Sequence, residues 1–222
     1  VDSLDSILSQ LYEFIFHLDR HIAYLLKEYG SLTYLILFLV IFCETGLVIT
    51  PFLPGDSLLF TLGTFTAVHA LDFPLLGTLL TLSAILGDTV NYAIGFKIGE
   101  RAYTSEIRWI RKDYLERTRA FFARHGRKTI ILARFIPILR TFAPFVAGVG
   151  RMPYGYFLLA NVAGGILWVW SILSLGHFFG NLPWVKAHFS QVILGIILLS
   201  LVPLLFGFLN PKGEKSGDPP PG

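Results

Sequence analysis

The chain has 222 residues, is 54% hydrophobic, and carries only 15% charged residues for a net charge of +3, with a mean hydropathy of +0.63. A soluble domain of this length needs far more polar surface, so the composition points to an all-α integral membrane protein. The single cysteine, Cys43, excludes an intrachain disulfide and a cysteine metal cluster, and the scattered His17, His21, His69, His125, His177 and His188 have no metal-ligand spacing. No metal and no cofactor are therefore expected. The first residues lack a basic region ahead of an apolar one, so no signal peptide is expected either.

Residues 4–26 place Leu4, Ile7, Leu8, Leu11, Leu18, Ile22 and Leu25 on one helical face, away from Glu13, Asp19 and Arg20. An amphipathic helix over 1–29 is expected, either lying in the membrane interface or packed on the rest of the protein. Residues 30–210 read as one membrane domain. Its first part, 31–72, is an apolar helix running into Glu44, then Pro51, Pro54 and Gly55, then a second apolar piece too short to cross a bilayer, which needs about 20 residues. Helix in, turn, half-helix out describes a re-entrant hairpin, with Asp56 or Ser57 placed to cap the returning half. Residues 74–96 read as a true span, with Asp88, Asn91 and Tyr92 on one face and Gly95-xxx-Gly99 at the end.

Residues 97–128 form a polar loop in which Lys and Arg far outnumber Asp and Glu. The positive-inside rule makes this loop, and with it the C-terminus, cytoplasmic. Membrane segments on both sides argue against nucleic acid as its partner and favour anionic lipid headgroups. A second broken stretch follows at 129–150, in which Arg134, Pro137, Arg140 and Pro144 interrupt an apolar run. Spans are expected at 154–180, ending in Gly176-xxx-Gly180, and at 188–209, and the Pro/Gly-rich tail 211–222 reads as disordered. Trp168, Trp170 and Trp184 read as packing or interface-belt residues.

The order hairpin, span, small-xxx-small occurs twice, roughly 80–90 residues apart. One span separates the two broken stretches, so they enter from opposite faces. The expected fold is thus two proline-broken re-entrant hairpins in inverted repeat, about three transmembrane helices, and the N-terminal amphipathic helix. A charged side chain at mid-bilayer costs about 2.5–3.5 kcal/mol. Glu44, Asp56, Arg134 and Arg140 together would cost about 10–14 kcal/mol, comparable to the whole stability of a domain at about 5–15 kcal/mol. Such residues need partners or a function.

Half-helix N-termini present free N–H groups and partial positive charge, which suits an anion. Arg134 and Arg140 add two fixed charges whose planar forks suit phosphate. On an unbroken helix they would diverge by about 120°, and Pro137 between them lets the chain bend so that both converge. The phosphate-binding set is Arg134 and Arg140 with Ser57 and Thr141. Burial favours a neutral acid while a neighbouring arginine favours the carboxylate, so Glu44 and Asp56 are candidates for exchanging protons, or for meeting sodium, as the ligand comes and goes. Pairing of the arginines with these acids as structural glue is the competing explanation. Asp88, Asn91 and Tyr92 are candidates to line the path.

At Glu44, Pro51-Phe-Leu-Pro54-Gly55-Asp56, Gly87-Asp88 with Asn91-Tyr92, and Arg134-Phe-Ile-Pro137-Ile-Leu-Arg140 with Pro144 and Gly148, the sequence resembles the DedA family of bacterial membrane proteins. That family shares a domain with eukaryotic lipid scramblases. The resemblance implies a multi-pass protein of the bacterial inner membrane that moves polyprenyl (undecaprenyl) phosphate between leaflets. It also implies that both acids and both arginines are needed. Partners would be that lipid, the surrounding membrane lipids, a coupling ion, and on some arrangements a second copy of the chain. No enzymatic activity is expected. The alternatives are a phospholipid scramblase, a glycine-rich scaffold, or a membrane-embedded polyprenyl pyrophosphate phosphatase drawn on Pro54-Gly55-Asp56-Ser57. The last lacks an arginine after Ser57 and a nearby histidine base in the sequence.

Overall fold

The computed structural model describes residues 18–47, 55–103, 126 and 128–209, which are helical with short connections and contain no strand. The expected helix over residues 4–17, the turn at Pro51 to Pro54, most of the basic loop and the tail 211–222 fall outside the described residues. Helix α1 spans Leu18–Tyr29 and passes through a single 3-10 turn, Gly30–Leu32, into α2, Thr33–Gly46. Gly30 takes a φ of +51°, which lets the chain change direction there. Helix α1 turns Leu18 and Ile22 into the apolar core beside Leu58, Leu59 and Leu62. Over its described residues the amphipathic helix thus turns an apolar face onto the protein.

Helix α3, Gly55–Ala67, is 13 residues long, about 20 Å at 1.5 Å per residue and well short of a bilayer. Helix α4 is longer than the sequence indicated, running Phe73–Tyr103. Asp72 starts it: its Oδ1 accepts the Leu75 N–H at 2.7 Å, while its own N–H donates to the Tyr34 hydroxyl at 2.8 Å. The polar residues from Lys97 onward, assigned above to a loop, continue this helix to Tyr103. Helical hydrogen bonding does not require apolar side chains, so a drop in hydropathy marked the expected end of the buried surface rather than the end of the helix.

The second broken stretch does break. Residues 128–133 are helical, the chain turns at 134–136, and Ile136 is extended ahead of Pro137, the first residue of α5, Pro137–Val149. Proline suits this position because the missing N–H would lack a helical partner anyway. Pro144, expected as a further interruption, sits inside α5 without ending it. Helix α6 runs Tyr154–Phe179, the short α7 runs Pro183–Ala187, and α8 runs Phe189–Leu209.

Among the described residues, three stretches are long and apolar enough to cross a membrane: Leu18–Gly46, Phe73–Arg101 and Tyr154–Phe179. The first was read above as an interfacial helix followed by half a hairpin. The 3-10 turn carries helical hydrogen bonding across that boundary, while Gly30 and the bond from the Thr33 hydroxyl to the Leu25 carbonyl at 3.0 Å mark the change of direction within the stretch. In α8 the described apolar run is the shorter Phe189–Leu199.

The packing is crossed. Helix α3 lies chiefly against α6, and α5 chiefly against α4, while α2 also packs on α4. Both crossings are made by glycine. A Cβ on Gly63 would stand 2.7 Å from the Gly176 Cα, and one on Gly148 would stand 2.6 Å from the Phe96 amide nitrogen beside Gly95. Such approaches between small residues let van der Waals contact hold helices together where lipid removes the hydrophobic drive. Replacing Gly176 by Val would push the side chain into the Phe60 carbonyl and the Gly63 backbone. Overpacking of this kind costs about 1–3 kcal/mol when side chains can yield, and here the obstacle is backbone. The Gly176→Val protein is expected to melt at a lower temperature in detergent than a Gly155→Val control, where a Cβ meets open space.

Candidate functional site

The apolar core has two main layers. One joins α1, α2, α3, the start of α4 and the end of α6, including Leu59, Leu62, Leu80, Ala84, Trp168 and Leu173. The other joins Tyr92, Ile130, Ala147, Met152, Phe157 and Ala160. Along α4 the residues between the layers are Asp88 and Asn91; along α6 they include Asn161, Gly164 and Gly165. A polar stratum therefore crosses both spans near their centres, and the two broken stretches deliver the remaining charges to it.

Glu44 arrives at the end of α2, Asp56 at the start of α3, Arg134 at the chain break, and Arg140 in the first turn of α5. With Asp88 they make five charged residues, none more than 9% exposed. Arg140 forks across two acids: its Nη1 donates to Asp56 Oδ1 at 2.9 Å, and its Nη2 donates to Glu44 Oε1. Trp168 on α6 donates its indole N–H to the same Asp56 oxygen at 2.8 Å. The Arg140 guanidinium carbon lies 4.9 Å from the centre of that indole, within cation–π range. The Glu44 carboxylate rests against the Gly55 backbone, where any Cβ would collide with it.

Arg134 goes elsewhere. Its Nη2 donates to Asp88 Oδ2 and to Asn161 Oδ1, while Asn161 donates its own Nδ2 to the Ile85 carbonyl at 3.1 Å. The arginine lies across the Gly164–Gly165 pair, and a Cβ at Gly164 would stand 2.9 Å from its Cδ. Asn91 ties the two broken stretches to α4, donating to the Thr141 carbonyl at 2.7 Å and the Thr45 carbonyl at 3.1 Å.

The sequence-derived set thus separates. Glu44, Asp56 and Arg140 meet directly, and Arg134 with Asp88 forms an adjoining pair. Ser57 and Thr141 are buried beside Asp56 and Arg140 in sequence, at 0% and 1% exposure. Tyr92, grouped with Asp88 by helical spacing, sits one layer away: its ring stacks on Phe157 at a centroid distance of 4.4 Å, and its hydroxyl donates to the Met152 carbonyl. Trp168 and Asn161 were not singled out as site residues. Asn161 stands as a polar residue in an apolar span, a signal that was available; the polar role of Trp168 has no sequence signature.

The guanidiniums satisfy the acids incompletely. Glu44 Oε2, Asn91 Oδ1, Arg134 Nε and Arg140 Nε are buried without a hydrogen-bond partner among the described residues. Buried polar groups left in this way cost about 1–3 kcal/mol each. Both arginines therefore retain donor capacity inside a layer that excludes bulk solvent. No group of three or more His, Cys, Asp or Glu residues suited to a metal occurs among the described residues.

Helices of crossing length around a buried layer of charge define an all-helical integral membrane protein. Residues 53–178 match the VTT domain. The chain is 49% identical over 205 residues to Protein DedA of Escherichia coli strain K12, covering 91% of this chain and 94% of that one. It is 41% identical over 180 residues to an uncharacterized membrane protein of Mycobacterium tuberculosis, covering 80% of this chain and 79% of that one. To the inner membrane protein YqjA of Escherichia coli strain K12 it is 34% identical over 178 residues, covering 80% of this chain and 81% of that one. The chain belongs to the DedA family of VTT-domain membrane proteins. No solved structure matches it.

Proposed function

We propose that this protein is a transporter of the bacterial inner membrane that carries a lipid phosphate, polyprenyl phosphate, between leaflets. The observation that carries the proposal is the seating of Arg140. It sits at the start of a half-helix, faces the start of another, and is held by two carboxylates that an incoming phosphate can replace. Phosphate takes the same planar fork as a carboxylate, so the ligand's head exchanges with Glu44 and Asp56 while its isoprenoid tail stays in lipid.

The crossed packing supports an inverted-topology repeat of two re-entrant hairpins. In each half a break leads to a 13-residue half-helix, and each half-helix lies on the other half's span at a glycine crossing. Such repeats rock against one another around a midplane site. Charge counting supports proton coupling. Among the described residues of this layer, three carboxylates face two guanidiniums, and because an unbalanced charge in a low-dielectric layer is expensive, a proton taken up by one acid would restore the balance. Arrival of a phosphate on the arginines displaces acids that then take up or release protons. In this scheme the basic stretch after α4 faces the cytoplasm.

Purified protein in liposomes, loaded with polyprenyl phosphate on one leaflet, tests this. Wild type is expected to move the lipid and to respond to an imposed pH gradient; Glu44→Gln is expected to lose the response to the gradient. Failure of wild type to move the lipid would overturn the proposal. Release of phosphate from polyprenyl pyrophosphate would replace it with a phosphatase.

A further inference from the structure

We infer that Trp168 is a positioning residue for this site, one that holds Asp56 in place so that Arg140 can release it to take the ligand. The inference rests on the lipid-phosphate proposal for its substrate but on geometry for its mechanism. Trp168 is 1% exposed and is anchored in the apolar layer with Val169 and Leu173. From there a single indole touches both members of the ion pair. Its N–H bonds Asp56 Oδ1 at 2.8 Å, and its face meets the Arg140 guanidinium at 4.9 Å. The arginine bonds that same carboxylate oxygen at 2.9 Å.

Consider what opening the bridge does to each group. When Arg140 turns to an anion, Asp56 loses the guanidinium but keeps the indole N–H. Without that N–H the closed state leaves Asp56 one partner, whereas the open state strands a buried carboxylate. A stranded buried charge costs much more than one missing hydrogen bond among several. The indole N–H therefore stabilises the open state more than the closed one, and the bridge can exchange partners inside the membrane. Phenylalanine would keep the ring face for Arg140 and delete only the donor.

The test uses full-length protein carrying Cys43→Ser, which removes the chain's single natural cysteine, with Ser57→Cys as reporter. Ser57 is fully buried and follows Asp56 in the first turn of α3, so maleimide labelling there reports opening of the protein around that turn, which release of Asp56 by Arg140 is expected to promote. Adding Trp168→Phe is expected to slow labelling by about tenfold, the scale of a hydrogen bond to a charged group. A residue that merely fills space would do the opposite, loosening the core and speeding the reaction. Unchanged or faster labelling would overturn the inference. In parallel, binding of polyprenyl phosphate to wild type and to Trp168→Phe is measured in detergent. Weaker binding by the variant, again about tenfold, supports both ideas. Absence of binding to wild type would sink the substrate proposal, and the labelling result would still decide the role of Trp168.

Discussion

Arg140→Ala is expected to lower lipid-phosphate transport by on the order of 100-fold or more, the scale of truncating one partner of a buried, hydrogen-bonded charge pair. The same substitution should destabilise the fold. Glu44 and Asp56 both lean on this guanidinium, and its loss leaves two buried carboxylates without a balancing charge, Asp56 keeping only the Trp168 indole N–H. Breaking a buried pair from one side costs about 3–5 kcal/mol. Arg140→Lys keeps the charge but loses the fork, so it can serve one acid well and the other poorly. Its transport should fall between that of wild type and the alanine variant. Flipping in liposomes and thermal unfolding in detergent, measured on the same preparations, check both effects. An alanine variant that transports like wild type would remove Arg140 from the mechanism.

The second large effect is expected at Asp88. Asp88→Asn removes the charge that balances Arg134 and leaves a buried guanidinium with only neutral amide oxygens, at position 88 and on Asn161, as hydrogen-bond acceptors. The expected loss is again about 3–5 kcal/mol. Replacing both partners separates structure from function. A buried pair exchanged for apolar residues of similar volume is often neutral or stabilising, so Asp88→Leu with Arg134→Met should recover the melting temperature of wild type. If the pair were only structural glue, transport would recover with it. The lipid-phosphate proposal requires that it does not.

The sequence made the breaks legible because prolines and charges in apolar runs have few explanations. The second stretch breaks at 134–136, just ahead of Pro137, the expected turn of the first lies outside the described residues, and Arg140 meets both acids that stood out as charges in an apolar run. The pairing itself was less legible. Arg134 and Arg140 were expected to converge on one ligand site, yet Arg134 takes Asp88, which lies on α4, 46 positions away in the chain. Nothing local in the chain encodes that choice; the crossing of α4 by the second broken stretch does. Helical spacing alone put Tyr92 with Asp88, but one turn along α4 is enough to pass from the charged stratum into the apolar layer around Phe157. Trp168 escaped notice for the opposite reason. An indole in an apolar span looks like packing, and only the position of Asp56, contributed by another helix, reveals what its N–H does.

The crossed arrangement of α3 on α6 and α5 on α4 also bears on how the protein is made. Helix α3, with its acid, emerges from the ribosome well before α6, its main neighbour, has been synthesised. At about 5–20 residues per second, the intervening chain takes on the order of 5–20 s to appear. Throughout that interval a carboxylate-bearing half-helix, too short to anchor itself across lipid, waits without its arginine or its indole. Biogenesis of this protein therefore calls for an insertion machinery that shelters the early half until the late half arrives.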